Sequence, residues 1–321
     1  ASLAPSEMCI RDSNCTAHTD ALGGVTRYEY THFDLLAAQT GPDGVRHEFT
    51  HDTQLRLRKV ANPQGLVWSY DYDPAGRLLS ETDFDGRTLT YAYDAAGELA
   101  ARTNGLGQTI TYEHDVLGRV VAKNAEGLTT TYAYDAAGRL TEAAGPEATL
   151  VYSRDRLGRV KSETTNGRTL TFTYDKLGRR TRRITPTGAV SRWTYDAAGR
   201  RTFMMASGHT FDIEHDAVGR EVARHFGDNI TLTHTWDAAG RATSQSVTAR
   251  GESNQHRAYT YRRDGYLTGV NDRTFELDEV GRVTAVSAGD WQERYAYDEA
   301  GNQTEAAWPT RHPGAEAQGS P

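Results

Sequence analysis

Residues 70–77 read Tyr70-Asp71-Tyr72-Asp73-Pro74-Ala75-Gly76-Arg77, and the frame Tyr-x-Tyr-Asp-x-x-Gly-Arg recurs along most of the chain. Clear copies are Tyr91, Tyr93, Asp94 and Gly97; Tyr132, Tyr134, Asp135, Gly138 and Arg139; and Tyr295, Tyr297, Asp298 and Gly301. Looser copies carry another ring in the first aromatic position: Phe172, Tyr174, Asp175, Gly178 and Arg179, then Trp193, Tyr195, Asp196, Gly199 and Arg200. The aspartate position falls at 52, 73, 94, 115, 135, 155, 175, 196, 216 and 237, always 20 or 21 residues apart. Arg262 fills it after 25 residues and Asp278 after a further 16, and Asp298 closes the series. The long step and the short one compensate, so the spacing predicts a longer loop within 242–257 and a short return strand after it. A degenerate copy, with Tyr28, Tyr30 and Thr31, stands before the series and brings it to about 14 units. A short period held this long is the mark of a repeat architecture.

The motif spells a β-hairpin. Tyrosines at i and i+2 put both rings on one face of a strand. Threonines beside them, as at Thr129–Thr131 and Thr169–Thr171, favour the extended backbone. Asp at the first turn position and Gly at the fourth fit a type I turn, with the glycine at positive φ in a bulge. The following arginine opens the return strand and can reach back to the aspartate; an exposed pair of this kind contributes ~0–1 kcal/mol. Return strands such as Leu78–Thr82 and Val120–Lys123 lead to a second turn, read at Asp85-Gly86, Asn104-Gly105, Glu126-Gly127 and Asn166-Gly167 as hairpin signals. No stretch holds a helical period. The fold class is therefore all-β: tandem hairpins in one antiparallel strip. Roughly 28 strands at ~4.8 Å each would extend on the order of 130 Å if flat, and twisted sheets that wide curl, close or stack. A curled strip with one face on a wet hollow is expected.

Composition agrees. Of 321 residues only 37% are hydrophobic, the mean hydropathy is −0.68, and Tyr 17 outnumbers Phe 8 and Trp 5. That is lean for a solid core and rich in rings with a polar tip. A net charge of −7 argues against a basic nucleic-acid surface. No apolar run reaches the ~18 residues a membrane helix needs, so no membrane insertion is expected. No apolar stretch of a secretory signal is present in the chain either. Cys9 and Cys15 precede the repeats; they suit a small disulfide loop and do not make a zinc site.

The Tyr-x-Tyr-Asp-x-x-Gly-Arg period over residues 22–306 resembles the YD repeat of the Rhs (rearrangement hotspot) family, which includes bacterial wall-associated proteins, the Tc toxin shell component and the teneurin YD-shell. The resemblance implies a spiral sheet wound into a hollow β-shell that encloses a C-terminal toxin or a segment of the chain. It implies partners outside this chain, namely the rest of the shell and a toxin domain, and a secreted or cell-surface setting. The chain resembles an internal piece of such a shell. Its one Asp-Pro, Asp73-Pro74, lies in a turn and not in a DPxGL-like self-cleavage motif. Residues 1–21 fit no repeat, and Pro5–Ser13 resembles either translated adapter sequence or a genuine linker. Residues 307–321 read as a disordered tail.

No residue is singled out for catalysis, for a cofactor or for a metal. An active site is one asymmetric constellation, whereas aspartate and arginine repeat here at turn positions. Among the 11 histidines, His51, His114 and His215 take the second tyrosine position and His234 the first, so they stand in for rings. Asp83-Phe84-Asp85-Gly86 lacks the length and closing Glu of a calcium loop. Gly105-Leu106-Gly107 has no helix after it to hold phosphate. Met204-Met205 is expected to pack on the sheet. The leading expectation is a structural segment of a shell that encapsulates or presents a toxin in contact-dependent bacterial competition. A cell-surface module binding glycans through its tyrosine face is the alternative, and a hydrolytic enzyme is the least favoured.

Overall fold

The computed structural model describes residues 14–308 and, for the backbone alone, residues 7–9. These hold thirty strands between Glu7 and Ala307, and among the described residues there is no helix. The chain divides into two units: Ala1–Thr88, Trp236–Ser244 and Arg257–Pro321 form unit 1, and Leu89–Thr235 with Gln245–His256 form unit 2.

Within each unit, strands consecutive in sequence pair antiparallel. In unit 2, β13 (Leu128–Tyr134) pairs with β14 (Leu140–Ala144): Tyr132 faces Ala143, Ala133 faces Glu142, and a register shift then brings Tyr134 opposite Leu140. The same shift occurs before Tyr174 between β17 (Arg168–Tyr174) and β18 (Arg180–Ile184). In unit 1 it occurs before Tyr72 between β7 (Val67–Tyr72) and β8 (Leu78–Thr82), and before Tyr297 between β29 (Trp291–Tyr297) and β30 (Gln303–Ala307). The shift is the predicted bulge. Gly138 sits at φ 77° and its N–H donates to the Asp135 carbonyl at 2.9 Å, while the Asp135 N–H donates to the Arg139 carbonyl at 2.9 Å. The all-β, hairpin-by-hairpin reading holds.

Burial follows the two-residue alternation. Tyr70, Tyr72, Tyr91, Tyr93, Tyr132, Tyr134, Tyr174, Tyr195, Tyr295 and Tyr297 are all half-buried. Ala133 and Thr194, lying between paired ring positions, are exposed. Buried hydrophobic residues are few, Ala38, Phe172, Ala223, Ala285, Val286 and Ala288, and among the described residues no large side chain is fully buried. Stability therefore rests on the backbone ladder and one half-covered ring face, not on an interior packed between layers.

Three details depart from the sequence reading. First, the second turns are of two kinds. Glu126-Gly127 (φ 54° and 85°) and Asn166-Gly167 (φ 48° and 78°) are two-residue turns with both residues left-handed. Asn104-Gly105 is not: the turn runs to Gly107, whose N–H donates to the Asn104 carbonyl at 2.9 Å, and Asn104 Oδ1 accepts the N–H groups of Leu106 and Gln108, both at 3.0 Å. Asp85-Gly86 likewise closes a turn opened by Asp83. An Asn or Asp three residues before a glycine bonds its own turn and outcompetes the shorter one.

Second, the expected long loop within 242–257 is absent. β24 (Ala242–Ala249) and β25 (Glu252–Tyr261) are lengthened to 8 and 10 residues around a tight Arg250-Gly251 turn. Extra residues in extended strands can satisfy backbone groups that a loop would leave to water. The following strand β26 (Leu267–Val270) is short, as the spacing required.

Third, strands begin before residue 22, since β2 (Cys15–Thr19) pairs with β3 (Val25–Tyr30). Cys15 is a free thiol donating to the Ala17 carbonyl at 3.2 Å. The Cys9 side chain, the Pro5–Ser13 reading and the tail after Trp308 lie outside the described residues, apart from the backbone of residues 7–9.

Two turns depart from the glycine rule, and in the degenerate first copy Asp34 holds the glycine position at φ 59°. Leu55 takes the glycine position of the Asp52–Arg56 turn at φ 66°. A side chain there costs ~1–2 kcal/mol, of which glycine would return part as unfolded-chain entropy. Leu55→Gly is expected to stabilise unit 1 by ~0.5–1 kcal/mol, read as a higher denaturation midpoint. A midpoint that falls would show that Leu55 contributes packing greater than its strain.

Candidate functional site: an interlocked Tyr, Asp and Arg lattice

Each aspartate turn is closed by its own carboxylate. In unit 2, Asp135 Oδ1 accepts the N–H groups of Ala137 at 2.9 Å and Arg139 at 3.0 Å, and Oδ2 accepts Arg139 Nε at 2.8 Å. Asp175 does the same with Leu177, Arg179 and Arg179 Nε at 2.9, 2.9 and 2.7 Å. Asp196 takes the Arg200 N–H at 2.9 Å and Nε at 2.6 Å. In unit 1, Asp73 takes the Arg77 N–H at 2.9 Å and Nε at 2.7 Å. Where the arginine is missing the backbone bonds persist: Asp94 accepts Glu98 N–H at 2.9 Å, and Asp298 accepts Asn302 N–H at 2.8 Å and Asn302 Nδ2 at 3.0 Å. The turn glycines Gly76, Gly97, Gly178, Gly199 and Gly301 all take positive φ.

The arginine also reads the next repeat, which the sequence analysis did not foresee. The Arg159 guanidinium lies 4.8 Å from the centre of the Tyr174 ring and donates to the Asp175 carbonyl at 3.1 Å. The Tyr174 hydroxyl returns a bond to the Val160 carbonyl at 2.7 Å. Arg179, Tyr195 and Asp196 repeat the pattern, with ring distance 4.7 Å, a 3.1 Å bond to the Asp196 carbonyl, and the Tyr195 hydroxyl on the Arg180 carbonyl at 2.6 Å. In unit 1 it recurs at Arg56, Tyr72 and Asp73 (4.7 and 3.2 Å, with Tyr72 on Leu57 at 2.8 Å). Tyr134, under Arg119, bonds Val120, and Tyr297, under Arg282, bonds Val283. The Arg56, Arg159 and Arg179 guanidinium groups thus each join their own carboxylate, the next ring and the next turn. A cation over a ring contributes ~0.5–2 kcal/mol depending on desolvation.

The first aromatic position is more varied. Tyr70 stacks on Trp68 at 6.3 Å, and Trp68 meets the Phe84 ring edge-on at 5.6 Å. Tyr91 lies opposite Arg102, and Tyr93 opposite Leu99. Tyr295 donates to Glu293 at 2.7 Å, which pushes its hydroxyl up to about 12.

Substituted positions show which atoms matter. Thr31, in the aspartate position, accepts Phe33 and Leu35 N–H groups on Oγ1, both at 3.2 Å. Arg154, in the second tyrosine position, sends Nη2 to the Leu140 carbonyl at 3.1 Å, the place a tyrosine hydroxyl takes elsewhere. Arg262 bonds Asp264 through Nε at 3.0 Å and donates to the Asp278 carbonyl at 2.7 Å, so the ion pair survives with its partners exchanged. The recurrence of Gly-Arg in nine of the 14 or so units was the available signal, because a solvated pair would not require it.

The ion pair is also less exposed than the sequence suggested. The Asp73 side chain is 10% exposed and that of Arg77 38%. Asp73, Asp135, Asp196 and Asp237 are held below the usual carboxylate range, first by the N–H of the residue four places on, then by that arginine's side chain, against the opposing effect of desolvation. For Asp115 the Arg119 side chain is the largest cause. A carboxyl whose folded pKa is lowered contributes stability above its unfolded value of ~3.9 and loses it as pH falls through the folded value. The melting temperature is expected to stay level from about pH 8 to pH 5 and to fall below about pH 4. A thermal melt series read by circular dichroism checks this, and a level melting temperature down to about pH 2 would contradict it.

Asp83 and Asp85 both pair with Arg87. Among the described residues no three His, Cys, Asp or Glu side chains gather as metal ligands would. No helix of the described residues is long and apolar enough to cross a membrane. Met204 and Met205 are half-buried on β20 (Arg201–Ala206).

No curated protein matches the chain. Solved structures do. A TcdB2–TccC3–Cdc42 complex aligns with TM-score 0.79 at 13% identity over 91% of this chain and 20% of its own. A TcdB2–TccC3 complex aligns with TM-score 0.77 at 13% identity over 90% and 20%. A Photorhabdus luminescens Tc holotoxin pore with mutated TccC3 gives TM-score 0.75 at 12% identity over 92% and 21%. The likeness is one of fold, and the chain spans about a fifth of those chains. The RHS Repeat family model matches residues 11–46, 51–88, 93–126, 118–150 and 154–190, together more than half the chain. The chain therefore belongs to the RHS repeat family.

Proposed function

We propose that this chain is a length of wall in an RHS shell that encloses or presents a cargo polypeptide, a toxin used in bacterial competition, and that it performs no catalysis. The observation that carries this reading is the pairing of a long run of hairpins with almost no buried side chain. Such a sheet directs its hydrogen bonds into extending itself, and its repeated carboxylates into holding turns. One solved structure of similar fold is a Tc holotoxin pore, which supports the cargo half of the proposal. On this reading the partners are the rest of the shell and a toxin domain, and the place of action is outside the producing cell. Protease protection of the polypeptide encoded by the full gene tests it. A segment outside residues 14–308 should survive while the shell is intact and be digested once acid opens the aspartate turns. Equal digestion in both states would overturn the proposal. Retention of the chain on purified peptidoglycan or glycans, without protection, would favour the glycan-binding alternative.

A further inference from the structure

Residues 160–206, within unit 2, hold ten lysines or arginines against three carboxylates, a local charge of +7 in a chain whose net charge is −7. Residues 1–159 and 207–321 carry −7 each. Of the three carboxylates, Asp175 and Asp196 are held by Arg179 and Arg200 in their own turns. Among arginines on other strands, Arg46 meets Glu29 and Glu48, Arg58 meets Asp71, and Arg224 meets Glu221. Arg180, Arg183 and Arg201 form no ion pair among the described residues.

Two of these arginines stand where the array otherwise places an aliphatic side chain. The residue that opens the return strand is Leu or Val in seven successive units, from Leu36 to Val160, and then Arg180 and Arg201. The exchange puts charge on the ring face. The Arg180 guanidinium lies 4.0 Å from the centre of the Phe172 ring, and that of Arg201 5.9 Å from Trp193. Arg183 is opposite Phe172 in register and gives one N–H to Ser191 Oγ at 3.3 Å. Its Nε–H, shielded from solvent, has no acceptor among the described residues. Arg180 and Arg201 are exposed, and among the described residues their side chains donate no hydrogen bond. A guanidinium resting on a ring is held in place, and its planar fork matches a carboxylate at two points.

We propose that Arg180, Arg183 and Arg201 bind an acidic stretch of another polypeptide through its carboxylates. The proposal rests on the reading of the chain as wall around a polypeptide cargo, and the stretch then belongs to that cargo. Charge complementarity selects the occupant, since three unanswered guanidinium groups call for anions. Because strands consecutive in sequence are neighbours in the sheet, the basic patch is short and bordered by negative sequence on both sides. That suits a small cluster of carboxylates. A long nucleic acid would run off the patch onto like charge, and the Phe172 ring that a base would stack on is already covered by Arg180.

Fluorescence anisotropy of a labelled Glu-Gly repeat peptide, titrated with this chain, is the test. Wild-type chain should bind it with an affinity that falls as salt rises, and should leave a Gln-Gly peptide unbound. The triple variant Arg180→Gln, Arg183→Gln, Arg201→Gln should keep the wild-type circular dichroism spectrum and bind on the order of tenfold more weakly. The triple variant Arg180→Lys, Arg183→Lys, Arg201→Lys keeps the charge without the fork and should fall between the two, which decides the matter if the Gln variant does not fold. Arg250→Gln, Arg257→Gln, Arg263→Gln removes the same charge at exposed positions elsewhere and should bind as wild type does. Wild-type affinity in either patch variant overturns the proposal, as does equal binding of the Glu-Gly and Gln-Gly peptides. Tighter binding of an oligothymidine of matched charge overturns it in favour of nucleic acid. Failure here with protease protection intact removes the patch and leaves the cargo reading. Binding here with protection lost leaves the patch and removes the cargo reading.

Discussion

Asp278→Ala is expected to open the end of unit 1, at a cost of ~2–4 kcal/mol to the local opening free energy. The carboxylate accepts the Val280 N–H at 3.1 Å, the Arg282 N–H at 2.8 Å and Arg282 Nε at 2.6 Å. Burial pushes this carboxyl up, and the bonds from Arg282 outweigh it and hold it below the usual range. Alanine leaves two backbone donors and a guanidinium without their acceptor at a site where the aspartate side chain is 22% and the arginine 28% exposed. Arg282 also lies 5.2 Å from the Tyr297 ring centre, whose hydroxyl bonds Val283 at 2.9 Å, so the loss reaches the next hairpin. Amide hydrogen exchange in β28 (Val283–Ala288) and β29 measures it. Asp278→Asn retains a carbonyl acceptor and should lose about half as much. Equal losses for Ala and Asn would mean that charge, rather than turn bonding, is what the position supplies.

Gly281→Val should be the more damaging of two equivalent glycine replacements. Gly281 holds φ 90°, and a Cβ there would strike the Tyr266 ring, with Cε1 at 2.5 Å and Cε2 at 2.7 Å. Tyr266 is itself covered by Arg262, whose guanidinium is 5.5 Å from the ring centre. Backbone strain of ~1–3 kcal/mol is joined by the cost of moving a ring out of its contact, for a total of ~2–5 kcal/mol. At Gly138 the nearest atom to such a Cβ is Arg119 Nη1 at 3.9 Å, an ordinary contact, so Gly138→Val should cost only the strain. Denaturation midpoints of the two variants decide the matter. A Gly138 variant equal to or worse than the Gly281 variant would remove the ring collision from the account.

Most of the hairpin lattice could be read from the sequence because its determinants are local. Asp135 and Gly138 lie within one turn, and the ring face follows from two-residue alternation. What could not be read lies between repeats. The bond from Tyr174 to Val160 and the placement of Arg159 over Tyr174 join residues 14 and 15 positions apart, and no propensity rule looks that far. The turn at Asn104 was misread because Asn-Gly is a strong pair signal, while the deciding residue was Gly107, two places later. The stretch after Ala242 was misread as a loop because spacing reports only how many residues were added. Whether they become coil or strand depends on partners that spacing does not name.

The lengthened strands β24 and β25 carry a consequence for engineering. Because successive side chains point to opposite faces, a graft that adds an odd number of residues to one strand of a hairpin exchanges its inner and outer surfaces, whereas an even number leaves them in place. The array can thus accept taller hairpins at chosen points with the downstream pattern undisturbed, provided growth obeys that parity. Inserted peptides of matched even length on both arms offer a route to display foreign sequence from a chosen turn.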